Sequence, residues 1–130
     1  MNRITATGAL LASVILAQPV HAADWRFVAA GGGDRVFYDA LSLTSEDSKM
    51  TLWVKFDYSG NRSEKAHYSV AKYVIACDSH KMKVLSSVYY KASGIVIQSF
   101  DTPQEPFTDI VPESIGEVIE QEVCQWQVSK

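Results

Sequence analysis

Alternating apolar and polar residues divide the middle of the chain into short segments that are typical of β-strands. The clearest run is 50–58, where one side would consist of Leu52, Val54, Phe56 and Tyr58. Successive side chains of a strand point to opposite faces, so the other side would carry Thr51, Trp53, Lys55 and Asp57. Similar runs between glycine or polar segments predict five more strands, at 25–30, 35–39, 69–77, 82–90 and 95–100.

The turns between these runs indicate how the strands connect. Three glycines at 31–33 separate the first two runs and predict a hairpin. A glycine-rich loop that holds phosphate leads into a helix, whereas this loop leads into β-branched and aromatic residues, which argues against a phosphate site. The polar segment 41–49 is predicted as a turn. Short polar turns at 78–81 and 91–94 join the last three runs into an antiparallel meander, with the apolar run 69–77 as a central strand.

One helix is predicted near the end of the chain, after the proline-rich linker 101–112. Ser114 with Glu117 three residues later is a capping-box pattern. The apolar stripe that follows would face the sheet and consists of Ile115, Val118, Ile119 and Val123, while Glu117, Glu120 and Gln121 would lie outside. Gly116 suggests a close approach to the sheet. The predicted fold class is α+β, with a mixed, mainly antiparallel sheet of about six strands and a C-terminal helix on one face.

The first residues predict an export signal rather than part of the domain. Arg3 supplies a positive charge, and 9–17 is an apolar run of the length of a signal-peptide core, too short to span a bilayer. We expect cleavage between Ala22 and Ala23, which divides the chain into a signal peptide at 1–22 and one domain at 23–130. No cysteine follows the apolar run, so we expect an exported protein of the periplasm or cell surface without a lipid anchor.

Charge limits the partners that we expect. The mature chain would keep all 15 acidic residues and 11 of the 12 basic ones, for a net charge of −4. It has no basic run, and its lysines are dispersed along the sequence. We therefore expect no nucleic-acid partner and no hold on an anionic membrane surface. No later segment is apolar enough for a transmembrane helix, so no stable membrane insertion is expected.

The two cysteines, Cys77 and Cys124, predict a single disulfide, because a pair of cysteines in a small exported domain is usually bonded. A helix that covers the central strand would bring the two sulfurs within reach. The bond would remove both sulfurs from thiol catalysis or zinc binding, and only His67 and His80 remain as histidines after signal removal. We therefore expect no catalytic residues, no metal and no cofactor, and a protein that is not an enzyme.

Several short segments, in their order and spacing, resemble the surface-adhesin protein E family of exported bacterial proteins. They are Trp25, Phe37-Tyr38-Asp39, Trp53, Ile75-Ala76-Cys77, Tyr89 or Tyr90 followed by Gly94, and Ile110-Val111-Pro112-Glu113-Ser114 before Cys124. The resemblance covers nearly the whole mature chain. It implies an antiparallel sheet with a C-terminal helix, one disulfide, dimerisation, and binding of host extracellular-matrix or serum proteins. It brings no catalytic residues.

The candidate binding face is therefore the side of the sheet that carries Trp53, Lys55 and Asp57. Tryptophan is enriched in interface hot spots, and the alternation places Trp53 on the side opposite the predicted core. The alternative for Trp53 is that a loop, the other hairpin or a second subunit covers this face, since exposed tryptophan is uncommon in a monomer. The alternative function is a soluble periplasmic structural or inhibitor-like protein that binds another envelope protein.

Overall fold

The computed structural model of the protein describes residues 22–127, with side chains through Trp126. The predicted signal peptide, except for Ala22, lies outside the described residues, so its cleavage site remains a prediction. Within the described part the chain forms one sheet, one α-helix and a final 3-10 turn at Gln125–Gln127. The strands are β1 (Trp25–Gly31), β2 (Asp34–Asp39), β3 (Thr44–Glu46), β4 (Lys49–Asp57), β5 (Tyr68–Ala76), β6 (Lys81–Tyr90), β7 (Val96–Asp101) and β8 (Thr108–Asp109), and the helix is α1 (Ile115–Cys124).

All strand pairings among the described residues are antiparallel, and the main path of the sheet runs β1-β2-β4-β5-β6-β7. The short strands β3 and β8 pair with β4 and β6. The last three long strands form the predicted meander. The α+β prediction, with a mainly antiparallel sheet and a C-terminal helix, is confirmed.

The β1–β2 hairpin forms where three glycines separate two apolar runs. Gly32 and Gly33 have φ angles of 62° and 88°, in the left-handed region that other residues rarely adopt. A two-residue turn of this kind matches the right-handed twist of the flanking strands. The sequence therefore fixes both the position and the sharpness of this connection.

The helix begins at the predicted cap. The Ser114 hydroxyl accepts a hydrogen bond from the Glu117 backbone N–H at 3.3 Å. The Glu117 carboxylate reaches back to the N–H of Glu113, one residue before the cap, at 2.7 Å. In a standard capping box it would instead reach the cap residue itself, so the box forms with a one-residue shift.

The core lies between α1 and one face of the sheet. Ile119 and Val123 of the helix are 1% and 0% exposed. They pack against fully or nearly fully buried strand residues, namely Val36, Tyr38, Met50, Leu52, Val54 and Ile75. Gly116 approaches the sheet closely, as predicted: a side chain there would meet the Met82 sulfur at 2.9 Å. The covered face is the one that the alternation of β4 and β5 predicts.

The predicted disulfide is present and joins Cys77, just after β5, to Cys124 at the end of α1. The two Cα atoms are 5.8 Å apart, and the bond closes a loop with a sequence separation of 47. Among the described residues no cysteine is free. The bond therefore holds the helix on the central strand.

Two predictions about local structure are wrong. The polar segment 41–49, predicted as a turn, contains β3, and the linker 101–112 contains β8. Each is a short strand with exposed side chains, so burial leaves no alternation in the sequence to signal it. Both form because a neighbouring long strand offers unpaired backbone groups at its edge.

Glu120 differs from its predicted surroundings, and its partner is His80. Glu120 was expected on the outer side of the helix but is only 8% exposed. Its carboxylate bonds to Nδ1 of His80, whose side chain remains largely exposed in the turn after β5. A buried carboxylate requires a polar partner, and the histidine supplies it. His80 is thus a partner of the helix and not simply a solvated residue.

Candidate binding face

The sheet has one face without a helix, which we call the open face. It carries the odd-numbered side chains of β4, from Lys49 to Asp57, and the side chains paired with them across β2, β5 and β6. All described strands belong to the one sheet, and α1 lies on the other side. No helix or strand within residues 22–127 therefore covers the open face.

Trp53 lies near the middle of this face and is half-buried. Its strand changes partner here, since β4 pairs with β3 through Thr51 and with β2 from Val54 onwards. Between the two partner strands, the Trp53 backbone N–H donates a hydrogen bond to the Ser42 hydroxyl at 3.0 Å. The Lys72 ammonium lies 5.9 Å from the centre of the indole ring. Strand, loop and lysine together fix the position of the tryptophan.

Lys55 lies between two aromatic rings. Its ammonium is 5.8 Å from the ring centre of Trp25 on β1 and 5.0 Å from that of Tyr68 on β5. Tyr68 in turn stacks on Tyr90, with 4.6 Å between the ring centres. Cations at such distances over aromatic faces are attracted by the ring electrons, which restricts the lysine's freedom to move.

Asp57, the third predicted residue, is paired on the same face. Its carboxylate bonds to the Arg35 guanidinium across the strands and to the Ser59 backbone N–H at 2.9 Å. Hydrogen bonds from Ser59, followed by the Arg35 interaction, lower the pKa of Asp57 to about 2. The carboxylate is therefore charged at neutral pH, and the arginine balances that charge.

The structure thus places Trp53, Lys55 and Asp57 on one face, although whether they bind a ligand remains a prediction. Sequence reasoning missed their neighbours Trp25, Lys72 and Lys83. The spacing of the lysines along the chain suggests that they are dispersed, because it does not show which residues are neighbours across the strands. The register across the strands brings them together.

The helix side of the sheet has a second feature, a groove beyond the helix. Ten helical residues extend about 15 Å, whereas nine-residue strands extend about 30 Å, so α1 covers only part of the face. The uncovered part is a groove of about 430 Å³. Its aromatic lining consists of Phe56, Tyr58, Tyr73, Tyr89 and Phe100. We call it the tyrosine groove.

Two tyrosines of this groove, Tyr58 and Tyr73, have a raised pKa. Burial, followed by the neighbouring hydroxyls of Tyr58 and Tyr89, raises the pKa of Tyr73 to about 12. Burial also raises the pKa of Tyr58, whose hydroxyl is 2.9 Å from that of Ser69. A buried phenol resists ionisation because the charged form loses its hydration.

We expect a spectrophotometric titration of the six tyrosines to contain one ionisation near pH 12 that the substitution Tyr73→Phe removes. The pKa of Tyr73 in the folded state lies above its unfolded value of about 10. Its contribution to stability is therefore full below pH 10 and is lost as the pH rises towards 12. Tyr90→Phe is the matched control and should leave this step in place. A folded protein without such a step would contradict the assignment.

Comparison with known proteins gives the family. The family model described as surface-adhesin protein E matches residues 25–125. The crystal structure of protein E from non-typeable Haemophilus influenzae is similar in fold, with a TM-score of 0.52 and 10% sequence identity. The match covers 85% of this chain and 82% of that one. No curated protein matches the sequence significantly. The family match spans nearly the whole described domain, and the chain therefore belongs to the surface-adhesin protein E family.

Proposed function

We propose that this adhesin-type module is exported and binds host extracellular-matrix or serum proteins through the open face. The observation that carries the proposal is Trp53, a half-buried tryptophan held near the centre of an uncovered sheet face. Because the indole ring is already held in place, Trp53 would lose little side-chain entropy when a partner binds. Membership of the family supports an adhesive role, and the open face supplies a surface for it.

The composition of the open face suits protein binding. Trp25 and Tyr68 flank Lys55, and Tyr90 stacks on Tyr68. Tryptophan, tyrosine and arginine are the residue types that dominate interface hot spots, and a polar rim around such residues is typical of protein interfaces. The Arg35–Asp57 pair lies at one end of this arrangement, where a partner could bind without separating the two charges.

The described residues contain little of what a catalytic site would need. No group of three or more His, Cys, Asp or Glu side chains among them is arranged to hold a metal ion. Cys77 and Cys124 are bonded to each other. The proposed role is a binding role in which no bond of the partner is made or broken.

The location of the protein is part of the proposal. Within the described residues there is no helix of sufficient length and apolar character to cross a membrane. We propose export by the predicted signal at 1–22, with cleavage between Ala22 and Ala23, to the periplasm or the cell surface. The family to which the chain belongs is one of surface proteins, which supports the surface location.

Trp53→Ala is expected to weaken binding to plates coated with basement-membrane extract or serum proteins by at least about tenfold, the effect of one hot-spot residue. The melting temperature should change little, because Trp53 lies outside the core between α1 and the sheet. Phe100→Ala is the matched control, since Phe100 is an accessible aromatic residue on the tyrosine-groove side. Equal binding by both variants, or no binding by the unaltered protein, would contradict the proposal.

Protease treatment of intact cells separates this function from the alternative. A surface module should be degraded while a periplasmic marker protein survives. A chain that is cut only after the outer membrane is permeabilised would instead be the soluble periplasmic protein that binds another envelope protein. Cross-linking in the same cells would test for the homodimer that we propose from the family.

A further inference from the structure

We propose that the open face also binds a linear anionic polysaccharide, with sulfate or uronic-acid groups, along a file of four lysines. The file consists of Lys49, Lys83, Lys72 and Lys55. This binding would be separate from recognition of a protein and does not depend on the function proposed above.

The register of the sheet places one of these lysines in each of four successive cross-strand rows. Lys49 begins the file, and Lys83 follows in the next row, in which Thr51 pairs with Val74 and Val74 with Lys83. Lys72 pairs with Trp53 in the third row, and Lys55 lies in the fourth. Successive rows on one face are about 7 Å apart, so the file extends roughly 20 Å along the strands.

Each lysine of the file lies over an aromatic ring. Lys49 and Lys83 are 5.7 and 4.9 Å from the ring centre of Phe107, which reaches this face from the linker before β8. Lys72 lies over the ring of Trp53, and Lys55 lies over those of Trp25 and Tyr68. The rings restrict the long side chains before any ligand arrives, which lowers the entropy cost of binding an anion.

None of the four lysines forms an ion pair with another described residue, whereas the neighbouring cations do. Arg35 pairs with Asp57, and Lys81 lies 3.7 Å from a carboxylate oxygen of Asp109. Those pairs mark the two ends of the file. Glu46 on β3 pairs with Lys49 at one of these ends, and Asp101 lies to one side on the edge strand β7. The other three lysines have no acidic residue in a directly paired position, so the file is a strip with an excess of positive charge.

This strip stands out because the whole chain is acidic, with a formal net charge of −3. Much of the negative charge lies on and before the helix, on the opposite side of the sheet, at Glu105, Glu113, Glu117, Glu120 and Glu122. The separation of charge is partial, since Asp39, Glu46, Asp57 and Asp101 lie in rows of the open face. A polyanion would be drawn to the open face and repelled from the helix side.

The chemistry of the file favours a polysaccharide over a nucleic acid. Proteins that bind single strands stack the bases on free aromatic faces, whereas here ammonium groups lie over Trp25, Trp53, Tyr68 and Phe107. The disulfide suits an oxidising compartment outside the cytosol, where anionic glycans are abundant. An extended sugar chain with an anion on successive units also matches one cation in each row.

Heparin is the probe for a direct test, with affinity measured by calorimetry at several salt concentrations. We expect Lys72→Gln/Lys83→Gln to bind about tenfold more weakly, and the salt dependence of log Kd to fall by about two units of slope. The matched control is Lys65→Gln/Lys91→Gln, which removes the same charge from two exposed residues outside the file. This control should retain the affinity of the unaltered protein.

Three results would overturn the proposal. They are an absence of heparin binding, an equal loss in the two double variants, and equal affinity for heparin, polyglutamate and single-stranded DNA. The last two would indicate general attraction between opposite charges rather than a built site. The test uses a purified glycan, so its outcome is independent of whether Trp53→Ala weakens binding to matrix or serum proteins. Circular dichroism of each variant verifies that the fold is retained.

Discussion

Replacing both cysteines, as Cys77→Ser/Cys124→Ser, is expected to lower the free energy of unfolding by about 4 kcal/mol. The disulfide closes a loop with a sequence separation of 47, and its loss gives the unfolded chain the conformational freedom of that loop. Small domains have a total stability of roughly 5 to 15 kcal/mol, so this is a large share. The helix carries one member of the bond and should be the first element to detach from the sheet.

Urea unfolding followed by circular dichroism measures this loss. The unaltered protein treated with a reducing agent is the control, since it loses the bond but keeps both sulfur atoms. It should unfold near the same urea concentration as the double variant. Thiol titration of the unfolded, unreduced protein should find no free thiol. A double variant whose stability falls by less than about 1 kcal/mol would show that packing alone holds the helix.

Ile119→Ala should cost about 3 kcal/mol, because the side chain is 1% exposed and fills the space between α1 and the sheet. The neighbouring Val118 is the matched control. It is 38% exposed on the same helix, so Val118→Ala should change the stability by no more than about 0.5 kcal/mol. Urea unfolding of the two variants side by side makes the comparison. Similar losses in both would mean that the helix does not pack on the sheet in the orientation described.

The strands β4 and β5 and the helix could be predicted because their burial is largely one-sided. Leu52 and Val54 alternate with Trp53 and Lys55, and the same alternation continues in β5. Ser114 marks the start of the helix by chemistry alone. The disulfide follows from the number of cysteines and the expected export. These signals are local, and each can be read from a few adjacent residues.

Other features depend on partners that are distant in the sequence. Glu120 occupies a polar position next to the apolar stripe, and its burial depends on His80, 40 residues earlier. The strand β3 has only exposed side chains, so backbone pairing with β4 is its main support. Nothing in the local pattern of residues distinguishes these cases from ordinary surface positions.

The candidate site could be predicted only in part, for the same reason. The alternation of β4 places Trp53, Lys55 and Asp57 together on one side. The contribution of Lys72 and Lys83 requires the register between three strands, and a one-residue shift would move a lysine to the opposite face. The tyrosine groove could have been anticipated by comparing the length of the helix with that of the strands it covers.

The position of the disulfide also determines what a single proteolytic cut can release. β6, β7, β8 and the proline-rich linker all lie between Cys77 and Cys124, within one covalent ring. The most exposed stretch of that ring is 91–101, where every residue is accessible. A protease that cuts there leaves both pieces joined through sulfur, and the helix stays bonded to the central strand. A nicked copy would therefore migrate as two fragments only after reduction, while the open face remained attached to the rest of the domain.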